Sequence, residues 1–234
     1  MGQERNTEMN NKHQLKNTPP QRVLDLEPGS TAADWHRHPN GGGWVYRDAQ
    51  VAETAYVGPN AVVCDRARVS GNAEVSGDAV VRDNARVLGN AIVSDSAVVR
   101  GSAWVYGVAT VLDRAVVFGN AEVYEHAVVR GNAWVYGVAV VCEGARVSGN
   151  AIVRDSAEVR GDAIVSGRAV IRDSAVVSGE AIVSDTAEVS GTARILDRVE
   201  VRGDAVVSGS VVVSGDAEVS GTARIHSGEW NEQK

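Results

Sequence analysis

From Val45 to Arg224 the chain keeps a period of six residues with no insertion or deletion, which gives thirty consecutive hexads. The first residue of each hexad is Val except at Ile171 and Ile195, and the fifth is Ala except at Val199 and Val211. The third is usually Gly and otherwise mostly Asp or Glu, and the fourth favours Asn, Asp, Ser, Thr and Arg. An amphipathic helix needs apolar recurrence near 3.6 residues and a half-buried flat strand alternates every second residue, so neither accounts for a strict six. A β-branched residue, a small inward residue and a Gly, Asn or Asp corner instead specify a short strand closed by a sharp bend and repeated around a coil.

The composition agrees with this. Ala, Val and Gly dominate, Phe occurs once and Met twice. A core of such small side chains has to gather its apolar area from many like contributions, which is how repeat proteins are built.

The units VYRDAQ, VAETAY, VGPNAV, VCDRAR and onward to VSGTAR resemble the hexapeptide-repeat family of the bacterial transferase type, and VGPNAV at Val57 matches its pattern most closely. The resemblance spans residues 45–225. It implies an all-β fold, a left-handed parallel β-helix, although parallel crossovers in general favour the right hand. Three hexads per coil make a triangular prism of about ten coils, roughly 48 Å long at a strand spacing of about 4.8 Å. Residues 1–22, polar and carrying Pro19 and Pro20, read as a disordered arm. Residues 23–44 read as a short N-terminal cap over the first coil, with Leu24, Leu26 and Trp35 as its apolar plug, and residues 226–234 read as a C-terminal tail.

Each inward first-position residue is flanked by two outward neighbours, so every face of the prism carries two outward columns, read every eighteen residues. On the Val45 face the first column runs Trp44, Val62, Val80, Val98, Val116, Trp134, Ile152, Val170 before a charge enters at Glu188. Phe118 and Tyr136 lie in the second column beside Trp134. The other two faces mix charges and apolar residues in the same positions. An unbroken apolar stripe on one side of a prism marks an interface, and a homo-oligomer, dimer or trimer, through the Val45 face is expected.

The Val51 face carries the most site-like cluster, a ligand patch of Trp104, Tyr106, Tyr124 and Cys142 near Glu125, His126 and Glu143. An imidazole set between two carboxylates is expected to hold its proton more tightly, which makes His126 the candidate base. His36 and His38 point the same way on an extended segment but have no third ligand nearby, so no metal site is assigned. Cys64 and Cys142 fall on different faces about 20 Å apart along the axis and cannot form a disulfide.

The formal charge of −7 is interspersed through the repeats, without a basic run that could follow a phosphate backbone, so nucleic acid is not an expected partner. No stretch has the length and apolarity of a signal peptide or membrane span, and the expectation is a soluble cytoplasmic protein. The family resemblance implies an acyl-CoA-dependent acyltransferase as one reading. The chain departs from the enzyme pattern because no loop interrupts the hexads to carry a catalytic histidine, and the zinc-dependent carbonic anhydrases of the same family need three converging histidines where the coils hold His126 alone. The leading expectation is a self-associating rigid scaffold or binding protein with no cofactor, the acyltransferase being the alternative.

Overall fold

The computed structural model describes residues 18–231. Residues 1–17, most of the polar arm, and residues 232–234 of the tail lie outside the described residues. The chain is an all-β parallel solenoid of about ten turns. Among the described residues helix is confined to α1, Gln21–Leu24, and a 3-10 turn at Ala32–Asp34.

Each hexad contributes a two-residue strand made from its predecessor's sixth residue and its own first, such as Val116–Val117 and Trp134–Val135. The strands stack into three sheets of twelve, eleven and ten strands. Parallel partners differ by eighteen residues, as in Val99 with Val117 and Val117 with Val135, except at the C-terminal rung, where Val213 pairs with Trp230. The sole antiparallel pair among the described strands is β1, Trp35–Arg37, against β2, Trp44–Tyr46. First- and fifth-position side chains fill the interior, and from Val57 to Val213 they are fully buried. Within the hexads valine stacks on valine and alanine on alanine at all rungs but those of Ile171, Ile195, Val199 and Val211, so nearly every side chain meets a copy of its own shape.

The main chain is bonded along the axis. Val116 N–H donates to Ala133 O at 2.9 Å, Phe118 N–H to Val135 O at 3.0 Å, and Asn120 N–H to Gly137 O at 2.7 Å. The same three bonds recur from coil to coil and leave few buried polar groups unpaired.

The corners explain the third position. From Asp65 to Gly221 the third residue of every hexad has φ between +55° and +81°, whether it is Gly, Asp or Glu. Gly is the default there because a Cβ in the left-handed region is strained, and the coils are also close: a Cβ on Gly119 would meet Gly137 O at 2.9 Å. The acids earn their places with a hydrogen bond upward. Asp83 accepts from Gly101 N–H at 2.7 Å, Asp173 from Gly191 N–H at 2.9 Å, and Glu143 from Gly161 N–H at 2.7 Å. The bond from Gly191 is the first cause, ahead of the charge of Arg172, of an Asp173 carboxyl held below the usual carboxylate range.

At the N-terminal end Glu27 extends this ladder. Arg47 occupies the third position of the first hexad, and the carboxylate missing there is supplied by Glu27, which accepts from Asp65 N–H at 2.6 Å; Asp65 accepts in turn from Asp83 N–H at 2.9 Å. Burial first, then the hydrogen bond to the Asp65 side chain, raises the Glu27 carboxyl above its ordinary value.

The segment before Trp44 serves two places: β1 and residues 40–43 pair with strand edges of the first coil, while its start packs outside. Val23, Trp35, Trp44, Val62 and Cys64 form a second apolar cluster outside the core, with Leu24, Leu26, Tyr46 and Val80 partly buried against it. Trp44, Val62 and Cys64 are outward residues, so Val23 and its neighbours lie along the Val45 face. The centre of the cluster is Val23, fully buried, while Leu24 and Leu26 are peripheral. The expected plug residues Leu24, Leu26 and Trp35 thus pack on this apolar outward surface, while strand edges at the end of the prism are met by hydrogen bonds from β1 and residues 40–43.

Two outcomes follow from the corner chemistry. Gly119→Ala should lower stability by about 1–2 kcal/mol, the cost of a non-glycine residue in the left-handed region, and Gly119→Asp should cost less because it gains a bond to Gly137 N–H; urea unfolding of the two variants compares them, and equal losses would show that the carboxylate bond adds nothing. A carboxyl with a raised native pKa favours folding below its unfolded value and loses that contribution as pH rises through the native one. Glu27→Gln should therefore be at least as stable as the wild type near neutral pH, with no such advantage below about pH 4. Glu27→Ala, which leaves Asp65 N–H without its acceptor, should lose about 1–2 kcal/mol. Thermal melts at the two pH values check both.

Candidate functional site

Two outward ladders of aromatic side chains stand on the prism. On the Val51 face Tyr106 and Tyr124 stack with centroids 4.8 Å apart, Trp104 meets Tyr106 edge-on at 6.3 Å, and Arg86 lies over the Trp104 ring at 4.5 Å. The Tyr106 hydroxyl donates to Glu122 at 3.1 Å. Burial, then Glu122, pushes the Tyr106 phenol up to about 12. The neighbouring Cys142 first, then burial, raises the Tyr124 phenol, and Cys142 is itself buried, with its thiol raised chiefly by that burial. The fold therefore brings Tyr106, Tyr124 and Cys142 into one column, with Trp104 beside Tyr106 in the next.

Beside this column the imidazole of the expected acid–base group stands without a hydrogen bond among the described residues. His126 is exposed at a corner, and among the described residues its imidazole makes no hydrogen bond to Glu125 or Glu143. The Glu143 carboxylate engages Gly161 N–H instead, because a third-position acid is directed along the axis by its backbone. The arrangement of an imidazole held between two carboxylates is thus replaced by a rung of the corner ladder.

On the Val45 face Phe118 stacks on Tyr136 at 4.6 Å, touches Trp134 edge-on at 6.0 Å and lies under Arg100 at 4.5 Å. Trp134 is 47% exposed at the middle of the stripe, with Val98, Val116, Ile152 and Val170 half-buried around it in the same column. The first rungs are different. Trp44 and Val62 are buried against Val23 and Trp35 of the same chain, and Val80 is partly covered, so Trp44 and Val62 are closed to any other surface.

The structure also adds a residue. Val138 is 51% exposed on the corner next to Tyr136. Its signal stood in the sequence: Val108 and Val138 are the only aliphatic residues at a fourth position, and both lie in the heptapeptide Ala-Trp-Val-Tyr-Gly-Val-Ala, which occurs unchanged at residues 103–109 and 133–139.

One constellation offers metal-type donors. Glu27, Cys64 and Asp65 hold their ligand atoms within 4.8 Å of one another. Both carboxylates already accept ladder N–H groups, and Cys64 is fully buried with its thiol pushed up by that burial, which opposes the thiolate a metal needs. No described helix is long and apolar enough to cross a membrane.

A family model described as YdcK Beta solenoid repeat matches residues 67–83, about one turn of the prism. Among curated proteins none matches the chain. The similarity supports the β-solenoid repeat and is silent on activity.

Both cysteines are free and buried. In the native protein Cys64 and Cys142 should resist iodoacetamide, and both should react once the chain is unfolded, read by intact mass. Rapid native labelling of Cys142 would mean that the Tyr106–Tyr124 column does not shield it.

Proposed function

We propose that this protein is a rigid, self-associating scaffold of the cytoplasm, in which a second copy seats on the Val45 face between Val98 and Val170. The reading includes the left-handed winding and the hexapeptide-repeat kinship that the sequence resemblance implies. The observation that carries it is Trp134, a half-exposed indole at the centre of an apolar column, edged by Phe118, Tyr136 and Val138. Aromatic residues at the centre of an apolar patch dominate association, while the half-buried valines around them exclude water.

A second argument comes from the chain itself. The Val45 face already accepts an apolar partner at one end, where Val23 and Trp35 close over Trp44 and Val62. The same column continues for five more rungs with no such cover from the described residues. Associated copies, twofold or threefold, would close it in the same way. The acyltransferase alternative draws on His126, whose ring has no hydrogen-bonded partner to tune or orient it among the described residues, and the scaffold reading stands ahead of it.

Trp134→Glu leaves the inward Val135 and the ladder bonds in place, so the fold should persist while the assembly dissociates; truncating such a centre commonly costs 2 kcal/mol or more, roughly thirtyfold in affinity. Light scattering coupled to size exclusion reads the mass. A wild type that runs as a single chain of 24.6 kDa, or a Trp134→Glu variant of unchanged mass, would refute the proposal.

A further inference from the structure

The N-terminal end of the prism has three strand edges, one per sheet, and the chain treats them unequally. On the Val45 sheet β1 pairs with β2. On the Val57 sheet an extended segment of the chain takes the place of a strand: Val57 N–H donates to Asn40 O at 3.0 Å and Val57 O accepts from Gly43 N–H at 2.8 Å. The third edge is the strand β3, Gln50–Val51. Neither the N–H nor the C=O of Val51 forms a hydrogen bond on that edge among the described residues, and the Ala49 oxygen is likewise free.

A cavity of about 630 Å³ lies at this edge, within the range of sites that hold small ligands or short peptide segments. Its polar lining is His36, His38, Gln50, Arg68, Ser70 and Arg86, and no acidic side chain contributes to it. His38 is buried, with Nδ1 3.0 Å from Asn40 O, so Nδ1 donates and Nε2 remains for a further partner. Arg68 and Arg86 are register partners on successive rungs, like charges side by side. Among the described residues neither forms an ion pair, and Arg86 is steadied by the Trp104 ring instead. Arg82 and Arg100 repeat this adjacency on the Val45 face, so stacked arginines alone decide nothing. What sets Arg68 and Arg86 apart is that they border a cavity beside an unfilled strand edge.

We propose that this cleft binds an extended acidic peptide segment by strand addition. Its backbone pairs with Val51 as the segment at Asn40 to Gly43 pairs with Val57, and its carboxylates meet the guanidinium groups of Arg68 and Arg86. Main-chain bonds to a free edge provide affinity and side chains at alternate positions provide selection, and an arginine fork suits a carboxylate with two parallel bonds. Charges near a sheet edge also serve to repel unwanted strands. That role belongs to the edge residue itself, which is Gln50, while the arginines sit one and two rungs inside.

The probe is N-acetyl-Val-Glu-Val-Glu with a fluorescent label on its C-terminal side, followed by anisotropy against the full chain. Saturable binding is expected, weakened roughly tenfold or more by Arg68→Gln with Arg86→Gln, by replacing Glu with Gln in the peptide, and by N-methylation of its backbone. The peptide variants keep the test decisive even if the protein variant folds poorly. No saturable binding, or binding unchanged by N-methylation and matched by glutarate, which would mark a small-anion site only, overturns the proposal. So does a double variant that binds normally but self-associates more, because the arginines would then be edge guards.

Discussion

The bond that everything else depends on is the axial one, in which an N–H in one coil donates to a carbonyl seventeen residues later, on the next coil. Because it recurs at the sixth, second and fourth positions of nearly every hexad, each coil is a template for the next. A single inserted residue would break three bonds at its own rung and shift every side chain beyond it. The unbroken period from Val45 to Arg224 is the sequence expression of that constraint.

The same bond sets the chemistry of the corners. Coils held so closely leave no room for a Cβ beside the next coil's backbone unless the chain gains something in return, which is why the third position alternates between glycine and a short acid. These carboxylates hold backbone N–H groups. Much of the acidity that gives the chain its charge of −7 is therefore part of the framework and not a surface field for partners. Free cations are correspondingly informative where they gather, as beside Val51.

The fold was legible because a period of six has one simple physical solution, and the inward valines and alanines followed from it. What lay outside the period was harder. The burial of Trp44 and Val62 depends on the segment around Val23, whose path no repeat dictates, so a column that reads as uniform is divided between an intramolecular and an open part. The role of Glu143 was hidden because an acid next to a histidine looks the same in sequence whether it faces the ring or the next coil; only the positive φ of the corner turns it along the axis. Val138 was within reach, since it breaks the polar rule of the fourth position, but a reading organised by strand columns passes over corners.

The hexad and the coil are different units. Any multiple of six residues can be lost or gained without harming the core, but only multiples of eighteen preserve which side of the prism each later residue occupies. A change of six turns everything beyond it by a third of a revolution. The repeated heptapeptide at 103–109 and 133–139 shows the effect of such counting: its two copies are five hexads apart and therefore stand on different faces, one meeting Arg86 and the other Phe118. A lineage of such chains can lengthen by hexads and remain folded, yet it keeps a continuous working face only when it grows by whole turns.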